Sequence, residues 1–134
     1  MKPRLNPYPS PLECQTQFRL RIKHARAIGP GKADVLQGIA DSGSIAESGR
    51  RLGMSYQRVW SLVASMNRDF KEPLVEKQRG GRTGGGAHLT PAGERVLDLY
   101  RRMELAAQQA IGDHVAEMLT LMAPSALEPR ASDD

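Results

Sequence analysis

Gln57, Arg58 and Ser61 are side chains whose types and spacing could recognise another macromolecule. They follow Ser55, a candidate N-cap residue. In a helix that begins there, Gln57 and Ser61 share one face and Arg58 lies at its flank. In the major groove of DNA, a Gln side chain can bond two atoms of adenine and an Arg side chain two atoms of guanine. These residues could therefore read base pairs directly.

A second set of candidate residues lies in the glycine-rich segment Gln78–His88. Five of its eleven residues are glycine, it contains Arg79 and Arg82, and no acidic residue occurs between Glu76 and Glu94. Glycine lets a backbone approach the sugar-phosphate chain closely, and arginine can reach phosphates or a minor groove. Glycine-rich loops also cradle nucleotide phosphates, but the spacing G-x-x-x-x-G-K-[ST] is absent. The segment is therefore predicted to be a basic wing.

Two helices joined by a tight turn are predicted to position the first set. Ser44 and Glu47 have the spacing of a capping box, which would begin the first helix, and Leu52-Gly53-Met54 would form the turn. The second helix runs to about Arg68, and its apolar face consists of Val59, Leu62, Val63, Met66 and Phe70. This pattern is typical of a helix-turn-helix. Taken alone, it equally fits an amphipathic helical hairpin whose polar face is merely solvated.

The charge distribution favours a polyanionic partner for the N-terminal part of the chain. Residues 1–95 hold 16 basic and 8 acidic residues, whereas residues 96–134 hold 3 basic and 7 acidic residues. The 134 residues suffice for one domain with tails, and the single Cys14 excludes an internal disulfide. No apolar run approaches the roughly 20 residues of a membrane span, and the N-terminus lacks a signal-peptide core. A cytoplasmic protein with no membrane partner is expected.

Three segments are predicted to precede the helix-turn-helix. Residues 1–16 are proline-rich and are expected to form a disordered or extended arm. The alternation in Gln17–Lys23 predicts a strand with a basic outer face. Its buried residues would be Phe18, Leu20 and Ile22. A loop at residues 28–31 and a helix from about Lys32 to Ser42 follow.

A long helix is predicted to follow the wing. Short strands at Leu74-Val75 and from Leu89 would flank the wing, and Thr90-Pro91 would begin a helix that runs to Met122. Its apolar stripe consists of Val96, Tyr100, Met103, Ala107, Ile111, Val115, Met118 and Met122. Because a domain this small cannot cover so long a helix, the stripe is predicted to be the interface of a homodimer. Packing back onto the same chain is the alternative, and residues 124–134 are expected to be an acidic tail.

The remaining candidates for chemistry do not assemble into a site. His24, His88 and His114 are far apart and have no further ligands at metal-binding spacing, so no metal site is predicted. No Ser or Cys has the surroundings of a nucleophile, so neither catalysis nor a cofactor is expected. Tyr56 and Trp60 are predicted to pack at the edge of the domain, with a base-stacking platform as the alternative.

The motifs, taken together, resemble those of one family. The runs GSIAESGRRLGMSYQRVW, PLVEKQRGG and GGGAHLT resemble the N-terminal, LysR-like winged-helix domain of ModE-type molybdate-responsive transcriptional regulators. The resemblance extends over about residues 18–122. Glu47, Ser48 and Gly49 depart from the family, which usually has small residues and a basic residue there. Gly49 is expected to weaken its helix by up to about 1 kcal/mol relative to Ala.

The resemblance implies a mainly α fold with a small β-sheet. A winged helix-turn-helix would occupy residues 17–90 and a long dimerisation helix residues 91–123. The protein would be a homodimer that binds double-stranded DNA at a pseudo-palindromic operator. The residues predicted to contact DNA are Ser44, Ser55, Tyr56, Gln57, Arg58, Ser61, Arg79, Arg82, Thr83, Gly84, Gly85 and Gly86.

The resemblance does not imply that this protein senses molybdate directly. Family members that sense it have C-terminal oxyanion-binding domains, and the residues for these are not in this sequence. A separate effector-sensing protein is therefore an open alternative. Two other classes of function are also considered: a protein-interaction adaptor that uses a winged-helix scaffold, and a small protein that binds molybdate at the arginine–glycine wing.

Overall fold

Two antiparallel hairpins and four α-helices make up the part of the chain that the computed structural model describes, residues 17–78 and 86–128. In chain order they are β1 (Leu20–Ile22), β2 (Ala25–Ile28), α1 (Pro30–Ser42), α2 (Ile45–Leu52), α3 (Tyr56–Asp69), β3 (Val75–Lys77), β4 (Ala87–Leu89) and α4 (Pro91–Leu121), followed by a 3-10 turn at Pro124–Leu127. The fold is mainly α with small sheets, as predicted. The predicted arm (1–16), the wing tip (79–85) and the end of the predicted tail (129–134) lie outside the described residues.

Glycines and polar caps set the boundaries of the helix-turn-helix. α1 begins with Pro30 and ends at Gly43, whose φ of 70° lies in the left-handed region that favours glycine. α2 ends in the same way at Gly53, whose φ is 68°. At the start of α3, the Ser55 hydroxyl oxygen accepts a hydrogen bond from the Arg58 N–H at 3.1 Å. The predicted helix, turn and helix are confirmed.

The predicted capping box at the start of α2 is only half formed. The Ser44 hydroxyl oxygen accepts from the Glu47 N–H at 3.0 Å, as predicted. The Glu47 carboxylate, however, pairs with Arg50 at 3.3 Å and with Arg51 at 3.2 Å. The Ser44 N–H instead donates to the Ser42 hydroxyl oxygen at 3.2 Å. The hydrogen bond expected from the Ser44 N–H to the Glu47 carboxylate is therefore absent, and this part of the prediction is wrong. The carboxylate has charged partners in Arg50 and Arg51, and the Ser44 N–H already donates to Ser42.

The connection between α2 and α3 is so tight that it requires Gly49. A Cβ atom there would lie 2.9 Å from the Met54 carbonyl oxygen and 3.1 Å from Val59 Cγ2. The Gly49 carbonyl oxygen also accepts from the Met54 N–H at 2.8 Å. The departure from the family pattern thus has a structural reason, since glycine gives up helix propensity and lets the two helices approach each other.

One hydrophobic core joins α1, α2 and α3 to the second hairpin and the first half of α4. Its largest fully buried apolar side chains are Val35, Leu36, Ile39, Ile45, Val59, Val63, Met66, Leu74 and Tyr100. Of the predicted apolar face of α3, three residues are fully buried, and Leu62 and Phe70 pack against the cluster. α3 is therefore held by the face that the sequence pattern predicts.

The predicted strand at Gln17–Lys23 is wrong in its extent. The chain reverses at Lys23-His24, and β2, which the pattern does not predict, pairs antiparallel with β1. Ile22 lies opposite Ala25 beside this turn and is 55% exposed, so its predicted burial is also wrong. Residues 28–31, which were predicted to form a loop, instead include the end of β2 at Ile28 and the start of α1 at Pro30.

The second hairpin is anchored to the helix-turn-helix. β3 and β4 form the antiparallel pair predicted to flank the wing. Just before β4, Gly86 forms an isolated bridge with Ser44, and the Ala87 N–H donates to the Gly43 carbonyl oxygen at 3.0 Å. The short link between α1 and α2 thus pairs with the end of the wing at one bridge and holds its base.

α4 begins as predicted and then contributes to the core of its own chain. The Thr90 hydroxyl oxygen accepts from the Gly93 N–H at 3.0 Å. The Tyr100 ring stacks on Phe18 with 4.9 Å between centroids, and its hydroxyl donates to the Phe18 carbonyl oxygen at 2.8 Å. Because Tyr100 is fully buried in this chain, its predicted place in a dimer interface is wrong.

Candidate nucleic-acid interface

The polar face of α3 points away from the core. Gln57, Arg58 and Ser61 are all exposed, whereas the opposite face of the helix is buried. The structure therefore brings the three predicted base-reading residues onto one accessible surface. Ser55 is also exposed, but its hydroxyl oxygen accepts the Arg58 N–H, so this residue fixes the start of the helix.

Trp60, one of the two aromatic residues of α3, joins this helix to the base of the wing. Trp60 packs against the core, as predicted, while Tyr56 is 51% exposed and meets the Trp60 ring nearly edge-on at 6.2 Å. The ammonium group of Lys77, at the end of β3, lies 4.6 Å from the centroid of the Trp60 ring. This is a cation–π contact. The predicted packing of Trp60 at the domain edge is confirmed.

The predicted wing residues are divided between described and undescribed parts of the chain. Gly86 pairs with Ser44 at the base of the wing, and a Cβ atom on Gly86 would lie 3.2 Å from the Gln78 side-chain oxygen. Ser44 is half-buried and caps α2, so it holds the wing and the helix together. The other predicted wing residues, which lie outside the described residues, are Arg79, Arg82, Thr83, Gly84 and Gly85.

The sequence pattern did not reveal a concave basic surface beside α3. Its described lining includes Arg21 and Arg26 of the first hairpin together with Arg58, Ser61 and Arg68 of α3. The alternation of residues 17–23 does predict a basic strand face, but nothing in it predicts that the face lies beside α3. The buried end of β2, at Ala27 and Ile28, docks the hairpin there.

Lys32 also lines this concave surface. Its ammonium group donates to the Arg26 carbonyl oxygen at 2.7 Å. Burial lowers the pKa of Lys32 below its ordinary value, and the positive charges of Arg68 and Arg26 lower it further, against the opposing effect of Asp69. An anion bound at this point would thus stabilise the positive charge of Lys32.

α4 presents an apolar strip to solvent on the side that does not pack on the core. Val96, from the predicted dimer stripe, packs against the core, whereas Met103, Ile111, Met118 and Met122 are exposed. Ala107 and Val115 are half-buried. The spacing did not identify Leu99 and Leu121 as exposed apolar residues, although Leu121 is 81% exposed.

The described residues 17–78 and 86–128 hold few other groupings that could form a site. No group of three or more potential metal ligands occurs in these ranges. His88, one of the three histidines predicted to lie far apart, is 3.4 Å from the Glu76 carboxylate, across the β3–β4 pair. No helix in the described ranges is both long and apolar enough to span a membrane.

The arrangement defines a class of protein domain. A helix-turn-helix whose second helix exposes Gln and Arg, followed by a two-stranded wing, is a winged-helix DNA-binding domain. Residues 32–94 match the model of the family described as bacterial regulatory helix-turn-helix protein, lysR family. The DNA-binding domain of CbnR, solved as a complex with DNA, has a similar fold, with a TM-score of 0.53 and 24% identity over 65% of this chain and 95% of that one.

Two curated relatives refine the assignment. Over 88 residues the chain is 39% identical to the molybdenum-pterin-binding protein MopA of Rhodobacter capsulatus, which covers 66% of this chain and 33% of MopA. Over 99 residues it is 32% identical to the DNA-binding transcriptional dual regulator ModE of Escherichia coli K12, which covers 74% of this chain and 38% of ModE. This region is thus similar to a part of each of these two proteins. The chain spans roughly a third of the length of these relatives.

Proposed function

We propose that this protein is a transcriptional regulator that binds a pseudo-palindromic DNA operator as a homodimer. The observation that carries the proposal is the exposed polar face of α3. Gln57, Arg58 and Ser61 lie outward on a helix whose opposite face is buried, so the helix can enter a groove without any loss of core packing.

In the proposed complex, α3 lies in the major groove. Gln57 and Arg58 are near the N-terminal end of the helix, the end that reaches base edges in helix-turn-helix proteins. They supply the bidentate groups suited to adenine and guanine. The wing, which begins after β3 and returns at Gly86, contacts the adjoining sugar-phosphate backbone or minor groove through Arg79, Arg82 and neighbouring backbone groups.

The proposed dimer forms through α4. This helix has 31 residues, which corresponds to about 46 Å. Its exposed apolar residues Met103, Ile111 and Met118 recur along one side of the helix. Pairing two copies through these residues would bury them and set the spacing of two recognition helices on successive turns of DNA.

We further infer that the regulated genes are connected with molybdenum, since the names of MopA and of the molybdenum transport protein ModE of Azotobacter vinelandii both refer to this metal. The chain covers 40% of the Azotobacter protein. In this proposal a separate protein can supply effector sensing. A protein that acts on DNA in this way is cytoplasmic and needs no catalytic residue.

Selection of bound sites from a random duplex pool tests this function. The expected result is an inverted repeat whose half-sites are one helical turn apart, bound by two copies of the chain, with an affinity well above that for random duplex. Binding of all sequences alike, or of none, would contradict a sequence-specific regulator. A chain that binds no duplex but retains a folded domain would favour the adaptor alternative.

A further inference from the structure

The first hairpin carries a concentration of positive charge. The exposed basic side chains in and beside it are Arg19, Arg21, Lys23 and Arg26. The sequence contains no acidic residue between Glu13 and Asp34. Within the described ranges none of the four forms an ion pair, whereas the arginines of α2 and α4 pair with carboxylates. The hairpin is therefore a ridge of free positive charge.

Two arginines of this ridge face each other across the strands. Arg21 of β1 and Arg26 of β2 are directly opposite in the antiparallel register. Residues in this relation project from the same face of a sheet, and like charges placed there destabilise it. The arrangement is unfavourable in the isolated protein, and an anion between the two guanidiniums would make it favourable.

The turn of the hairpin adds a second unfavourable feature. Lys23 has a φ of 54°, in the left-handed region that glycine and asparagine adopt far more readily than lysine. Strained residues of this kind cluster at functional sites. Here the side chain places an ammonium group at the tip of the ridge.

The hairpin lies on the same side of the molecule as the predicted base-reading residues. Arg21 and Arg26 line one concave surface together with Arg58, Ser61 and Arg68 of α3. Asp69 is the one carboxylate among the described lining residues, and it pairs with Arg68 at 3.4 Å. The surface thus has a large excess of positive charge.

The two hairpins flank α3 on opposite sides. At roughly 100° per residue, Trp60 lies about 60° to one side of Gln57, and Ser65 about 80° to the other. Trp60 contacts Lys77 at the base of the wing, whereas Ser65 lines the surface shared with the first hairpin. The outward face of α3 therefore lies between a wing on one flank and a basic hairpin on the other.

We propose that the β1–β2 hairpin is a second wing, which binds the phosphates of the DNA strand on the side of α3 opposite the first wing. Arg21, Lys23 and Arg26 hold these phosphates, with Arg68 facing them across the concave surface. This role rests on the proposed function, because it requires α3 in the major groove. Contacts to phosphates fix the position of the helix and add affinity that depends on salt, but they do not read sequence.

The test uses the full chain and the operator obtained by selection from random duplexes. The double variant Arg21→Gln/Arg26→Gln and the single variant Lys23→Gly are compared with the unchanged chain by titration at several salt concentrations. The matched control is Arg95→Gln/Arg102→Gln, which removes the same charge from exposed sites on α4 where both arginines pair with Asp98. Thermal unfolding of each variant is measured in parallel.

The expected result is a shallower dependence of log K on log salt, by about 0.9 for each phosphate that a bound protomer no longer neutralises, with the same preferred sequence. Both hairpin variants should unfold at the same temperature as the unchanged chain or higher, because each removes an unfavourable feature. The control should retain the original slope. An unchanged slope in both hairpin variants, or an equal decrease in the control, would overturn the second wing and leave the proposed function intact. Failure of the unchanged chain to bind any duplex would overturn both.

Discussion

The ammonium group of Lys77 lies 4.6 Å from the centroid of the Trp60 ring and so joins the first strand of the wing to the proposed recognition helix. Trp60 packs against the core, and this packing fixes its position. The other end of the wing is held by backbone hydrogen bonding between Ala87 and Gly43. The Lys77–Trp60 contact is thus one of several that orient the wing relative to α3, together with the Asn67 side chain of α3, which bonds Leu74 and Val75 at the start of β3.

Replacement of Lys77 tests the first of these contacts. Lys77→Gln removes the cation from the Trp60 ring, and the free energy of unfolding should fall by about 0.5–1 kcal/mol, the range for exposed cation–π pairs. Urea denaturation measures the change. Lys71→Gln removes another exposed lysine, from the loop after α3, and should have a negligible effect. Equal losses in the two variants would assign the effect to net charge.

Gly49 offers a sharper test of local packing. Gly49→Ala should raise helix propensity, yet the added Cβ would lie 2.9 Å from the Met54 carbonyl oxygen. Overpacking of this kind typically costs about 1–3 kcal/mol, so the free energy of unfolding should fall. The control is Gly112→Ala in α4, where the added Cβ would meet no heavy atom within 4 Å apart from its own helix backbone, and the same change should stabilise the protein by about 0.5–1 kcal/mol. Stabilisation by both variants would mean that α2 and α3 are not in such close contact.

The elements that are specified by local signals could be predicted from the sequence. Ser44, Ser55 and Thr90 cap the helices they were expected to cap, because an N-cap depends on residues within one turn. Gly43 and Gly53 end α1 and α2 because each must adopt a positive φ.

The errors arose where a distant partner or a strained residue decides the structure. The first hairpin turns at Lys23, which carries none of the usual turn chemistry, so the pattern concealed β2. Tyr100 matches the spacing of the α4 stripe, but Phe18, 82 residues away, draws it into the core. The concave basic surface was missed for the same reason, since it needs both the hairpin and α3 in place.

Arg58 is expected to contribute direct readout. Arg58→Ala should reduce affinity for the preferred operator by about 1–3 kcal/mol and weaken discrimination at one base position in each half-site. Competition binding against operators with single base changes measures both effects. Arg95→Ala, an exposed arginine on α4, is the control and should leave discrimination unchanged. If Arg58→Ala lowers affinity equally for all sequences, Arg58 contacts a phosphate instead.

The apolar strip of α4 is the basis for the predicted dimer. Ile111 is 37% exposed and Met118 is 61% exposed, so neither contributes fully to the core of its own chain. The double variant Ile111→Glu/Met118→Glu should convert a dimer into a folded monomer, because burying four carboxylates in a two-fold interface is costly. Light scattering gives the mass, and circular dichroism verifies that the helices remain.

A matched control places the same two charges on the other side of α4. Gln109 and Thr120 are exposed and lie roughly opposite the apolar stripe at about 100° per residue. Gln109→Glu/Thr120→Glu should therefore remain dimeric and bind the full operator. The monomeric variant should bind the two half-sites independently and lose most of its affinity for the palindrome, since each half then binds without the other's contribution. If the unchanged chain is a monomer at all concentrations, or if both variants dimerise equally well, the strip on α4 is not the dimer interface.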